Sequence, residues 1–161
     1  MTASPDLRVR RLGPDDVATM RDLNALYAAA FEDNETYRRD TPDNAWLTRQ
    51  LARDAIILLV AEAKGRVVGG LTAYELPKLE AARNEIYLYD LAVAKDHRRR
   101  GIATRLIEEL QCIAADTGAW AVFVQADYGD DPAVALYTKL GVREDVMHFD
   151  LKPRARSTGR E

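Results

Sequence analysis

One stretch restricts the architectures open to this chain more than any other. An apolar strand-like segment, Glu85-Ile86-Tyr87-Leu88-Tyr89-Asp90-Leu91-Ala92-Val93, runs into a basic turn, His97-Arg98-Arg99-Arg100-Gly101, and then into a helix-like segment from Ala103 to Thr117. The first is rich in β-branched and aromatic residues, and the last carries Ile102, Leu106, Leu110 and Ile113 at helical spacing. A further strand-like run, Trp120 to Ala126, completes a strand-helix-strand unit. Such a unit favours parallel pairing of its two strands, because the crossover is too long for a hairpin.

The turn itself has a chemical reading. A helix starts after Gly101, and its first backbone N–H groups have no intrahelical partner, so an anion can sit against them and the positive end of the helix dipole. Gly101 would let a ligand approach the backbone closely. Lys95, Arg98, Arg99, Arg100 and Arg105 stand against one acid, Asp96, in a chain whose net charge is −3. The basic charge is therefore local, and the turn reads as a phosphate-binding site. It is neither a Walker loop, which needs Lys followed by Ser or Thr after its second Gly, nor a dinucleotide fingerprint, which needs three spaced glycines.

The rest of the chain supplies one α/β domain. With 161 residues, 47% of them hydrophobic and 30% charged, it can bury one sizeable core but not two. The longest apolar run, Ala55 to Ala61, suits a buried strand and is far too short to span a membrane. Met1 to Asp6 has no signal-peptide pattern, so a cytoplasmic protein without membrane or nucleic-acid partners is expected. The single Cys112 can form no internal disulfide, and His97 and His148 lack the companions of a metal site, so no metal is expected.

Upstream, the pattern predicts a short strand at Val9 to Leu12, a helix from about Pro14 to Phe31, a polar substrate-rim loop from Glu32 to Asp43, and a helix from Asn44 to Arg53. Ala55–Ala61 and Val67–Leu76 read as antiparallel strands around Gly65. Downstream, Ala133 to Leu140 reads as a helix stopped by Gly141, and Met147 to Leu151 as a last strand closing the sheet. Residues 1–151 are expected to form the domain, with 152–161 a basic, solvated tail.

The turn resembles the Arg/Gln-x-x-Gly-x-Gly/Ala turn of the GNAT superfamily of N-acetyltransferases, matched by Arg98, Gly101 and Ala103. Asp131-Pro132-Ala133-Val134-Ala135-Leu136-Tyr137-Thr138-Lys139-Leu140-Gly141-Val142 resembles the same superfamily's Asn-x-x-Ala-x-x-Leu-Tyr-x-Lys-Leu-Gly-Phe, with Asp131 for the usual Asn and Val142 for the usual Phe. The order of elements is also that of the GNAT fold, a mixed central sheet flanked by helices. Closer still, Glu85–Val93, Gln125–Gly141 and Met147-His148-Phe149-Asp150 resemble the aminoglycoside 3-N-acetyltransferase, or gentamicin-resistance, branch.

That resemblance implies acetyl-CoA as co-substrate, gripped at its pyrophosphate by Arg98, Arg99, Arg100, Gly101, Ile102, Ala103 and Thr104. It implies a bulge in the preceding strand, with the Leu91 amide facing the oxyanion and Ala92 and Val93 holding the pantetheine arm. Tyr137 would protonate the departing CoA thiolate, a task that suits a phenol because its pKa is comparable to that of a thiol. The acceptor implied is the 3-amino group of the deoxystreptamine ring, attacked directly in a ternary complex, since no Cys or Ser sits in a nucleophile pattern. The resemblance implies a homodimer too, which periodicity does not show.

Acidic and aromatic residues fit a cationic acceptor. Asp127, Asp130 and Asp131 cluster after a strand end, where open α/β sheets bind ligands. Glu85, Tyr87 and Tyr89 alternate onto one strand face, offering a carboxylate and two rings. Asp127 is the first choice and Glu85 the second to take the amine proton. The alternatives are acetylation of another amine, such as a polyamine or a protein terminus, or a non-catalytic CoA-binding module; a proton donor at Tyr137 speaks against the last.

Overall fold

The computed structural model describes residues 7–156. Its contacts gather into two units, the chain up to Gln125 and the chain from Ala126 onward. Within the first unit a single sheet carries five strands in sequence order. These are β1 (Leu7–Arg11), β2 (Ile56–Ala63), β3 (Arg66–Pro77), β4 (Asn84–Val93) and β5 (Ala119–Val124). β1 to β4 pair antiparallel, and β4 pairs β5 in parallel. The parallel pair is joined by α4 (Ile102–Thr117), as the strand-helix-strand pattern predicts.

β2 is buried from Ile57 to Ala61 without a break, because both faces of the sheet are covered there. On one face lie α1 (Val17–Ala30) and α3 (Asn44–Leu51), which bring Met20, Leu23, Tyr27, Leu47 and Leu51 against Leu58, Val60 and Ala92. The amphipathic α4 buries Ile102, Leu106, Ile107, Leu110 and Ala114, a single helical stripe at i, i+4, i+5, i+8 and i+12. Its Cys112 stays exposed. Arg10 of β1 binds Glu62 of β2 and Asp16 at the start of α1, at 3.1 and 2.8 Å, which fastens the N-terminal strand to the helix that follows it.

The polar segment expected as a loop, Glu32 to Asp43, instead holds a short helix, α2 (Asn34–Arg39). Asp33 caps it through Thr36 N–H at 3.1 Å, and Asp43 caps α3 through Trp46 N–H at 2.7 Å. Polarity there reflects helix termini rather than the absence of structure. In the second unit the helix α5 (Asp131–Leu140) opens with Asp130 accepting from Ala133 N–H at 3.2 Å and Pro132 in its first turn.

The expected closing strand is not formed. Met147, Phe149 and Leu151 alternate with polar residues, but residues 147–151 make no ladder, and all of them are exposed. Alternation describes a half-buried pleated surface; without a neighbouring strand to hydrogen-bond, it does not make one. Met1 to Asp6 and Ser157 to Glu161 lie outside the described residues, while Lys152 to Arg156, expected as a solvated tail, is irregular and exposed.

Candidate active site

Two features of β4 shape the site. The first is its pairing with β5, which runs from Asn84↔Ala119 to Leu88↔Val124 and stops. From Tyr89 to Val93 the strand keeps β3 on one side and has no strand partner on the other among the described residues. Backbone groups on that side of residues 89–93, Leu91 among them, are thus outside any ladder. Backbone groups in that condition are free to hydrogen-bond an extended ligand such as an acyl-pantetheine arm.

The second feature is a bulge. Thr72 of β3 opposes Asp90, while its neighbour Ala73 opposes Leu88, so Tyr89 is the extra residue. Tyr74, two residues after Thr72, opposes Tyr87. Cross-strand partners share a face, as do residues two apart on β3, so Tyr87 and Asp90 lie on one face although three positions separate them. The ring of Tyr89 joins them, 5.8 Å from Tyr74 and 5.3 Å from Tyr87 between centroids. Tyr87 in turn stacks on Phe123 of β5 at 4.9 Å, and its hydroxyl donates to Gln125 at 2.7 Å. An aromatic stripe therefore crosses three strands beside the end of the β4–β5 pairing.

Asp90 sits half-buried against that stripe and is a candidate site residue that sequence reasoning missed. Burial pushes its carboxyl above the usual range. Among the described residues no donor hydrogen-bonds it and no cation pairs with it. Its surroundings are phenols: Tyr27, Tyr37 and Tyr74 are each pushed up, first by burial and then by the Asp90 charge, Tyr37 to about 12. The floor is Tyr27, whose hydroxyl shares a 3.1 Å hydrogen bond with the buried Thr72. An acid within an otherwise apolar strand was the available signal.

Glu85, by contrast, is already engaged. Its carboxylate lies 3.5 Å from Arg83 and 4.0 Å from Lys78, at the end of the β3–β4 hairpin. Arg83 also lies over the Trp120 ring at 4.0 Å. These contacts join β3, β4 and β5.

At the other end of β4 the basic turn has the geometry of an anion cradle. Arg99 and Gly101 both take left-handed backbone, with φ of 59° and 76°, and no side chain caps the N-terminus of α4. Backbone of alternating hand beside free helix N–H groups forms concavities that bind phosphate. A Cβ on Gly101 would meet nothing within 4 Å, so the space beside it is open. Arg98 donates to the Val93 carbonyl at 3.0 Å and Arg100 to that of Asp96 at 2.9 Å, which fixes the loop. Arg99 makes no side-chain hydrogen bond among the described residues. These residues fit the pyrophosphate of a CoA-type donor.

The second unit presents the acidic turn and Tyr137. Asp130 caps α5, Asp131 lies in its first turn, and the Asp127 carbonyl accepts from Asp130 N–H at 3.2 Å. Burial, with Asp130 adding to it, pushes the Tyr137 phenol up to about 12, so it carries its proton throughout the neutral range.

Comparison with known proteins bears on all of this. Residues 20–142 match the acetyltransferase (GNAT) family. The chain is 53% identical to an aminoglycoside acetyltransferase of known structure from an uncultured soil metagenomic sample, with a TM-score of 0.89 over 92% of this chain and 99% of that one. A second such soil acetyltransferase, solved in complex with sisomicin, is 31% identical with a TM-score of 0.85 over 92% and 97%. N-acetyltransferase 8B of Rattus norvegicus is 31% identical over 90 residues, 56% of this chain but only 40% of that protein. An uncharacterized N-acetyltransferase of Bacillus subtilis, YhfO, is 25% identical over 82% of this chain and 93% of its own length. With its mixed five-stranded sheet and its β4–α4–β5 crossover joining a parallel pair, the chain belongs to the GNAT acetyltransferase family, whose co-substrate is acetyl-CoA.

Proposed function

We propose that the protein acetylates aminoglycosides of the gentamicin type on the 3-amino group of the deoxystreptamine ring, by direct attack in a ternary complex, and so confers resistance. The observation that carries this reading is the 53% identity over 92% of the chain to a soil aminoglycoside acetyltransferase. The aromatic stripe beside a half-buried carboxylate supports it, because that surface suits a polyhydroxylated cation.

Acetyl-CoA supplies the activated acetyl thioester. In the chain, Arg98 to Thr104 bind the donor's phosphates through helix N–H groups and guanidinium charge. Leu91, Ala92 and Val93 line the donor's pantetheine arm, and the Leu91 amide stabilises the developing oxyanion. Tyr137 holds its proton at neutral pH and delivers it to the departing sulfur. Asp127, Asp130 and Asp131 add negative charge that attracts a polycation. Glu85, tied to Arg83 and Lys78, orders the hairpin that carries the rings.

The test is an acceptor panel. Purified protein is given acetyl-CoA with gentamicin, sisomicin, fortimicin or spermidine; thiol release is followed, and the acetyl group is located by mass and NMR. Turnover of the drugs with acetylation at N3 is expected. Turnover of spermidine alone overturns the drug assignment, and CoA binding without any acceptor turnover leaves a CoA-binding module.

A further inference from the structure

We propose that Asp90 is the carboxylate that holds the acceptor's ammonium group and takes its proton, in a notch walled by Tyr37, Tyr74, Tyr87 and Tyr89. The inference rests on the reading of the protein as an amine acetyltransferase and deepens it by naming the base.

Three observations support it independently. The bulge at Tyr89 turns Asp90 onto the tyrosine face, just past the last β4–β5 pair, where β4 has no second strand partner among the described residues. An unpaired half-buried carboxylate lowers the stability of the fold that holds it, and such groups gather where chemistry requires them. Finally, three elements and β4 itself bring phenols to Asp90, and no cation pairs with it among the described residues: Tyr27 from α1, Tyr37 from α2, Tyr74 from β3, and Tyr87 and Tyr89 from β4. Aromatic faces attract an ammonium, and phenol hydroxyls can bond the neighbouring sugar hydroxyls. Neither competitor is placed in this way, since Glu85 is held by two cations and Asp127 lies in an exposed turn.

The protons balance. An ammonium nitrogen carries three; one passes to Asp90 and on to solvent, freeing the lone pair that attacks the thioester carbonyl carbon. As the C–N bond forms and the C–S bond breaks, the amide keeps one proton and the sulfur gains the equivalent of the other. Burial, by holding the Asp90 carboxyl above its usual range, makes it a better acceptor than an exposed carboxylate.

The test uses Asp90→Asn and Asp90→Glu in the full chain, with sisomicin and spermidine as acceptors. Asp90→Asn should lower kcat/KM about 10²–10⁴-fold, remove the acid limb of its pH profile, and leave CoA affinity by calorimetry and the thermal melt intact. Asp90→Glu should restore part of the rate with a shifted limb. The proposal is overturned if Asp90→Asn keeps wild-type kcat/KM, if CoA affinity falls with it, or if the pH profile is unchanged while Asp127→Asn abolishes turnover. Wild-type turnover of spermidine but not sisomicin would sink the drug assignment alone, with Asp90 then decided on spermidine. Turnover of neither would sink both.

Discussion

Gly70 sits on β3 opposite Val60 and Ala92, on the face against which α1 packs. A Cβ added there would lie 2.5 Å from Leu23 Cδ1 and 2.8 Å from the Leu59 carbonyl oxygen. Carbon atoms rest at about 3.5–4.0 Å, so Leu23 would have to retreat by roughly 1 Å. Leu23 is fully buried, and the Leu59 oxygen is backbone of the adjoining strand, so neither can yield cheaply. Gly70→Ala should therefore destabilise by about 1–3 kcal/mol through overpacking. Some 0.5–1 kcal/mol of that is offset, because alanine loses less backbone entropy than glycine on folding. A net loss of about 1–2 kcal/mol corresponds to a Tm lower by about 2–8 °C at this size.

Urea titration followed by circular dichroism measures the loss. Leu23→Ala supplies the second arm of a double-mutant cycle. Alone it should cost about 2–5 kcal/mol, but it removes the 2.5 Å clash, so Gly70→Ala should cost less in that background than in wild type. Gly69→Ala, whose Cβ would come no nearer than 3.1 Å to Ile102 Cγ2, is the milder control. A Gly70→Ala protein as stable as wild type, or two substitutions that simply add, would refute the argument that close approach of α1 requires this glycine. That approach matters to function because α1 carries Tyr27, whose bond to Thr72 floors the Asp90 notch.

Other consequences can be measured alongside. Because burial raises the Asp90 carboxyl, its ionised form is disfavoured in the folded state; stability falls as pH rises from the ordinary carboxylate value through the raised one. Asp90→Asn should accordingly melt at or above the wild-type temperature at pH 7, and a clearly lower Tm there would contradict an unpartnered carboxylate. Asp16 behaves in the opposite sense: burial alone would raise it, but Gly13 N–H and Arg10 hold it below its usual value. Its contribution is present above the ordinary carboxylate range and lost as pH falls through the lowered value, so Asp16→Asn should cost about 1 kcal/mol at neutral pH and progressively less in acid. Equal loss at all pH values would count against the ion pair. Tyr137→Phe should lower kcat with little change in CoA affinity, and unchanged turnover would remove its acid role.

The strand, basic turn and helix from Glu85 to Thr117 were legible as sequence because each depends on near neighbours. Helical spacing from Ile102 to Leu110, a glycine where the backbone turns left-handed, and local excess charge need no distant partner. The family resemblance rests on the same short-range patterns. Non-local pairing decided the remainder. Alternation puts Glu85, Tyr87 and Tyr89 on one face and would leave Asp90 on the other with Ile86 and Leu88. It takes the register against β3, shifted by one residue between Thr72 and Ala73, to return Asp90 to the tyrosines. Likewise Glu85 read as a free acid until the hairpin brought Lys78 and Arg83 to it, and residues 147–151 read as a strand although they form no ladder. A period of two is a property of one chain segment. A bulge, an ion pair across a hairpin and a ladder belong to two segments together, and only the folded chain states which two meet.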